Sequence, residues 1–524
     1  MKKVTFAGLV FLSGVFAHSA ERQKIVLQPG ITCRDINTAI KSLGPEGGDI
    51  YLPAGIIDCD EMVNIERSHV ALIGKGRGDR GQTQFTKLLM RNGEPTPVLV
   101  LGVLPVTRFD AKSGHGIQSY PTHEIEDVTV KNLAVDANRF ASPKNSRHMD
   151  FECYDAEKKQ SLNCTKVKTD QNGNIEYMKD EKGQLVYEKD SSGRLKYDDN
   201  KNPIKIPLYE DSSSFVRNNA ITIRRVKLAW LENVSADRSF SGGLTVEKLS
   251  SYLHIKNFTA RQNALDGFAG YETHSSNFKD LYLMDNPESG ISIDMSFEAS
   301  KAPELKGKTF PNVFENVYLI GNGKNGVFSH SLSGTVFKNM KIMGNGEYGL
   351  FIDGHRELQQ DGSWVLTPGT CDKTIIQDVI AINNKLSSVK FNHYCQNSVI
   401  KNLRSIKTID AKIEENLNAQ LEQENNNLNA LRATISGLDD KRSLTEKRQL
   451  EETAKGISQR MTDIRVNLWK LGEAKLCINL FDAEKTKLLS KNVKCEINPY
   501  FVISQEALDR TAEINSAIAT VRGL

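Results

Sequence analysis

The chain has 524 residues, of which 39% are hydrophobic and 25% charged, with a formal net charge of +3. That composition describes a globular protein rather than a disordered or fibrous one, and the length suits one long repetitive domain with attachments. A charge so near neutral for this size gives no electrostatic footprint for nucleic acid, which is excluded as a partner class.

Residues 1–20 read as a secretory signal: Lys2 and Lys3 precede the apolar run from Val4 to Phe16, and small residues allow cleavage after Ser19 or Ala20. The run is too short to span a membrane, and no later segment supplies a span. Export to the periplasm, cell surface or medium is therefore expected. Eight cysteines agree with it. They lie in four local pairs, Cys33 with Cys59, Cys153 with Cys164, Cys371 with Cys395, and Cys477 with Cys495, and proximity makes these the expected disulfides. No Cys-x-x-Cys or close Cys/His spacing favours a zinc site, so no metal ligand is assigned.

Residues 21–140 are read as an N-terminal cap and first coils, ending in the alternation of Val128, Val130, Leu133 and Val135. Residues 141–215 carry a different repeat, Asp170-x-x-Gly173-x-x-x-Tyr177, Asp180-x-x-Gly183-x-x-x-Tyr187 and Asp190-x-x-Gly193-x-x-x-Tyr197. Asp-x-x-Gly supplies turns and the run to Tyr a short strand, which gives an inserted meander of β-hairpins. It either walls a groove or decorates the surface.

The central coils, residues 216–408, are organised by one recurring unit. Asn263-x-x-x-Gly267, Asn286-x-x-x-Gly290, Asn322-x-x-x-Gly326 and Asn345-x-x-x-Gly349 follow one another at steps of 23, 36 and 23 residues. Each is preceded, six residues earlier, by Asn257, Asp280, Asn316 or Asn339. A period near 23 is too short for a helix pair, and the runs are β-branched and aromatic alternations. Stacked units must therefore be strands, each pairing in parallel with its counterpart one turn away. The Gly suits a bend needing positive φ, and the Asn a second bend with its amide bonded to the next turn. The two long steps contain 302–307 and 359–364, expected to be loops on the outside.

Residues 409–474 break the β pattern. Leu417, Leu421, Leu428, Leu431, Ile435 and Leu438 recur at threes, fours and one seven, and Leu450, Ala454, Ile457, Met461, Ile464, Leu468 and Leu471 at fours and threes, which predicts an antiparallel coiled-coil hairpin. Inserted between coils, it is a candidate arm for a protein partner or for self-association. Residues 475–500 return to the last coil, and 501–524 predict a C-terminal capping helix. The fold expected is all-β: a right-handed parallel β-helix carrying these caps and insertions.

The opening of the mature chain shows a family likeness. Thr32-Cys33-Arg34-Asp35-Ile36-Asn37-Thr38-Ala39-Ile40, Gly47-Gly48-Asp49-Ile50-Tyr51-Leu52-Pro53-Ala54-Gly55 and Val70-Ala71-Leu72-Ile73-Gly74-Lys75-Gly76 resemble the start of the pectate-lyase-like superfamily of β-helices. There such a stretch is a capping helix followed by the first turns. Asn263-Ala264-Leu265-Asp266-Gly267-Phe268 is similar to coils of the mannuronan epimerases in that superfamily. Those enzymes carry Asp-Pro-His and an acid after the Gly-apolar pair, whereas this chain has Gly243-Leu244-Thr245-Val246-Glu247. The polygalacturonase signatures are missing from the coils as well. The resemblance therefore implies the fold and leaves the reaction to the residues.

Within each coil the first and third residues after the Gly are mostly apolar and face inward, so the second and fourth face out. The fourth positions are Glu247, Tyr271, Asp294, His330, Asp353 and Asn392; the second are Thr245, Ala269, Ser292, Phe328, Phe351 and Lys390. Proton-active groups beside aromatic rings are what a polysaccharide groove needs. Asp294, His330, Asp353 and Tyr271 are the candidate catalytic residues. Glu247, Phe328, Phe351, Lys390 and Asn392 are the candidate substrate contacts. Asp294 and Asp353 fit an inverting hydrolase. Alternatively Tyr271 and His330 serve a lyase or epimerase as base and acid, with Asn392, Lys390 or a calcium ion neutralising a uronate carboxylate. The competing class is a non-catalytic envelope or surface protein with the β-helix as spacer and the helical arm as binding element.

Overall fold

The computed structural model describes residues 22–79, 82–93, 96–103, 123–141, 218–294, 311–332, 334–354, 371–392, 397–409, 411–436, 444–480 and 488–498, with Cys395 and short pieces of 104–217 and 355–370. The signal stretch, Cys153 and Cys164, the 302–307 insertion, His355, His393 and the tail from Ser504 lie outside the described residues.

Two long parallel sheets run side by side along the molecule. In the larger, Ile125–Asp136, Val226–Asp237, Ser251–Arg261, Asn277–Met284, Val313–Ile320, Val336–Met343, Ile375–Ile382 and Ser398–Thr408 are neighbours in chain order. In the second, of ten strands among the described residues, the order runs from Val63–Ile65 through Leu99–Leu101, Ile221–Arg224, Leu244–Glu247, Phe268–Tyr271, Ile291–Asp294, Val327–Ser331, Leu350–Ile352 and Val389–Phe391 to Ile478–Leu480. Each turn of chain thus adds one strand to both sheets, which is a parallel β-helix.

The bends are built as the repeat suggests, with one exchange of roles. Asn257, Asp280, Asn316 and Asn339 take left-handed backbone conformations, with φ of 51°, 56°, 56° and 52°, and bend the long strand in the middle. Asn and Asp tolerate that region best among residues with a Cβ. Their side chains also bond from coil to coil, as Asn339 Nδ2 does to Asn316 Oδ1 at 2.6 Å and Asn316 Nδ2 to Asp280 Oδ1 at 2.9 Å. The repeat glycines were expected at positive φ, but Gly267, Gly290, Gly326 and Gly349 are not among the left-handed residues. They are required by crowding instead. A Cβ on Gly290 would lie 2.9 Å from Asn322 Nδ2 and 2.9 Å from the Gly326 carbonyl oxygen.

That crowding comes from a buried amide ladder. Asn263, Asn286, Asn322 and Asn345 each donate Nδ2 to the Oδ1 of the next, ending on Asn384, at 3.1, 3.0, 3.0 and 2.8 Å in turn. Each also donates to a strand carbonyl of the preceding coil, as Asn322 does to Leu283 at 3.1 Å. A buried amide left unpaired costs about 1–3 kcal/mol, so the ladder is satisfied as a unit or not at all. Beside it the interior is a column of stacked rings, Phe278 on Phe314 at 4.5 Å and Phe314 on Phe337 at 5.2 Å.

Helix α1, Cys33–Ser42, covers the first coil with buried Ile36, Ala39 and Ile40. Asp35 accepts from the Thr32 backbone N–H at 2.8 Å, a bond that lowers its pKa. The Cys33–Cys59 bridge therefore ties the cap helix to a strand rather than joining two turns of the coil. Cys371–Cys395 does link neighbouring turns, and Cys477 pairs with Cys495 in the last coil. Of the expected meander, the described pieces pair antiparallel, Lys166–Val167 with Tyr209–Glu210 and Tyr197 with Pro203. Around the 359–364 insertion, Arg356–Leu358 pairs antiparallel with Trp364–Leu366.

Helices α2, Ala411–Ser436, and α3, Leu444–Ala474, form the predicted hairpin. Leu428, Ile457 and Met461 are its buried centre, and Glu424 with Arg460 and Glu414 with Lys475 mark the antiparallel course. No described helix is long and apolar enough to cross a membrane.

Candidate functional site

The outward face of the ten-stranded sheet carries the candidate residues. Alternation holds as expected on the inward side, where Leu244, Val246, Phe268, Ile291, Ile293, Val327, Leu350, Ile352, Val389 and Phe391 are buried. On the outward side the second positions form an unbroken in-register column, Thr222, Thr245, Ala269, Ser292, Phe328, Phe351, Lys390 and Asn479.

The fourth positions do not form one continuous column. Arg224 pairs with Glu247, and Tyr271 with Asp294, in register. Asp294 then faces Ser331, because the register shifts by one residue after Ile293. A bulge of this kind re-aims the side chains at a strand end. His330 is accordingly exposed and lies edge-on to Phe328 at 4.6 Å, displaced from the rung between Asp294 and Asp353. Asp353 follows where the Ser329 carbonyl accepts its backbone N–H at 2.9 Å. Its carboxylate is buried and accepts from Asn392 Nδ2 at 3.0 Å and from the Gly354 N–H at 2.9 Å. Asn392 is thus joined to Asp353 directly.

At the upper end the face is covered. Thr245 and Ala269 were expected outward, yet both are buried, as are Thr222 and Arg224 on the adjoining rung. The Arg224 guanidinium is fully enclosed and bonds Glu247 Oε1 at 2.8 Å. Arg224 is a residue the column analysis missed. Its signal was present, since it follows Ile221-Thr222-Ile223 at the fourth position, but Ala220 stands where the repeat has Gly.

At the lower end the helical hairpin enters the site. Glu473 near the end of α3 lies 3.6 Å from Lys390 Nζ and accepts from Tyr348 Oη at 3.2 Å and Asn479 Nδ2 at 2.5 Å. Lys390 also donates to Tyr348 Oη at 2.9 Å. Lys390 was assigned to a substrate carboxylate, and here its charge is matched within the protein. Burial, reinforced by Glu473, raises the Tyr348 pKa, so its hydroxyl stays protonated at neutral pH. No pattern in the coils announces Tyr348, Glu473 or Trp469.

The aromatic pair also differs from a sugar-stacking platform. Phe328 and Phe351 lie parallel within 2° at 5.5 Å, and Tyr348 stacks on Phe351 at 5.3 Å. Their faces are turned to one another along the column. Arg238, which follows the strand Val226–Asp237, is bound to Asp136. Among the described residues no three His, Cys, Asp or Glu side chains converge as a metal centre.

Residues 200–365 match the family model described as "Right handed beta helix region". No curated protein matches by sequence. Among solved structures, the chain is similar to the family 28 exopolygalacturonase of Yersinia enterocolitica, at 11% identity and TM-score 0.40, covering 74% of this chain and 73% of that one. It is similar to the mannuronan C-5 epimerase A-module of Azotobacter vinelandii at 14% identity and TM-score 0.31, covering 73% and 86%. A protein of Geobacillus virus E2 matches at 10% identity and TM-score 0.32 over 73% of this chain, which spans only 57% of the viral chain. From the strand order, the coil register and the family model over residues 200–365 together, the chain is a right-handed parallel β-helix protein.

Proposed function

We propose that the protein is exported, binds a polysaccharide along the outward face of the ten-stranded sheet and hydrolyses it. The observation that carries this reading is the grouping of partly open Tyr271 and Asp294, paired in register, with exposed His330 and anchored Asp353 from the next two coils of the same sheet. Rungs of a parallel sheet lie ~4.8 Å apart, so Asp294 and Asp353 stand ~9–10 Å apart at the backbone. Inverting glycosidases hold their two carboxyl groups ~6.5–9.5 Å apart to admit a water. The hydrogen bonds from Asn392 and Gly354 orient Asp353 as the fixed member, and Asp294, on the more open rung, is the group that exchanges a proton with substrate or water. His330, re-aimed by the bulge, reaches a sugar hydroxyl beside Phe328. Export is supported by the disulfides.

A partner-binding arm is the competing role for the helical hairpin. Its base, however, is bonded into the groove through Glu473, which favours a role in the site.

The test is incubation with a panel of neutral and uronate polysaccharides, following reducing ends and the ultraviolet absorbance of unsaturated products. Reducing ends without absorbance are expected, falling about 10²–10⁴-fold in Asp294→Asn. Absorbance would make the enzyme a lyase, and absence of both change and binding on every polymer would sink the reading.

A further inference from the structure

At the lower end of the outward face Phe328, Phe351 and Tyr348 stack on one another, so their ring faces are taken up within the column. A sugar ring packs its C–H face on a flat aromatic face. The helical hairpin supplies it. Trp469 in α3 is 53% exposed, a large value for the largest apolar side chain, and its ring lies 5.8 Å from Lys390 Nζ. Lys390 in turn is 4.9 Å from the Tyr348 ring, so the indole continues the aromatic column at its lower end.

The indole is also held in place. Trp469 and Glu473 are four residues apart and share one helix face. Glu473 is bonded to Lys390, Tyr348 and Asn479, side chains of three separate segments of the β-helix. Because Glu473 balances the Lys390 charge, this end of the groove selects an apolar ring face rather than an anionic group. We infer that Trp469 is the platform of a sugar-binding subsite at the lower end of the groove, taking a pyranosyl unit of the polysaccharide through its C–H face. This rests on the groove being a polysaccharide site.

Binding of the polysaccharide panel to the full mature protein tests both statements separately. For the polymer that wild type binds, Trp469→Ala should weaken affinity about tenfold, with Trp469→Tyr in between because a smaller ring remains. In a Trp230→Phe/Trp364→Phe background, that polymer should shift the emission of Trp469. Thermal midpoints near that of wild type would show the hairpin still docked, and the tyrosine variant keeps the test valid if alanine loosens it. Wild-type affinity in Trp469→Ala, or no emission shift on binding, would overturn the platform and leave the groove intact. If wild type binds no polymer, the groove reading falls and the platform with it.

Discussion

At the scale of single residues, the bends show why side-chain type and backbone need must be separated. Left-handed φ was assigned to the repeat glycines, but it belongs to Asn257, Asp280, Asn316 and Asn339, while the glycines make room for the amide ladder. Both signals were in the sequence, six and four residues to either side of the ladder asparagine; only the neighbour in the next coil decides which is which. A second residue effect lies at Asp237, whose carboxyl is pushed up to about 6 by burial, with Arg261 opposing and the in-register Asp136 adding to the rise. The native state therefore keeps this proton longer than the unfolded chain, whose aspartates titrate near 3.9. Its contribution to stability is present below the unfolded pKa and is lost as pH climbs through about 6. Urea midpoints between pH 4 and 7 should show this decline, and Asp237→Asn should flatten it, gaining on the order of 2 kcal/mol at pH 7.

At the scale of elements, the hairpin was legible and its role was not. Heptad-like spacing located both helices, since helical periodicity depends on near neighbours. Its contact with the sheet depends on Glu473 meeting Lys390, Tyr348 and Asn479, which are brought together only by the winding of the coil. The same is true of the bulge at His330, where one added residue breaks a column that spacing alone predicts to be continuous. Both Lys390 and Glu473 are nearly enclosed, at 12% and 11% side-chain exposure. Removing one partner of such a pair strands the other charge, at a cost of about 3–5 kcal/mol. Glu473→Gln should lower the urea-derived stability by about that amount. It should also bring the Tyr348 titration down, because the carboxylate that disfavours the phenolate is gone. Unchanged stability and an unchanged tyrosine titration would mean that the hairpin is not held by this contact.

At the scale of the whole molecule, fold and site differ in how much of each a linear chain can show. The β-helix repeats one local rule many times, so Asn and Gly spacing and inward alternation could be read directly. The site is made where the rule is broken, at Arg224 beside a missing Gly, at the bulge, and at an inserted helix. The position of that helix has a consequence for the order of assembly. The coil that ends at Thr408 is followed in space by strands that begin only at Ile478, beyond both helices. Closing so long a loop from a random chain would cost about 4 kcal/mol of entropy. Once α2 and α3 have zipped, their ends stand together and the return is nearly free. The hairpin should therefore form first and act as a splint on which the last turn is laid, and loosening it by Ile457→Ala should slow protection of the 478–498 amides in pulsed hydrogen exchange while leaving the earlier coils unchanged.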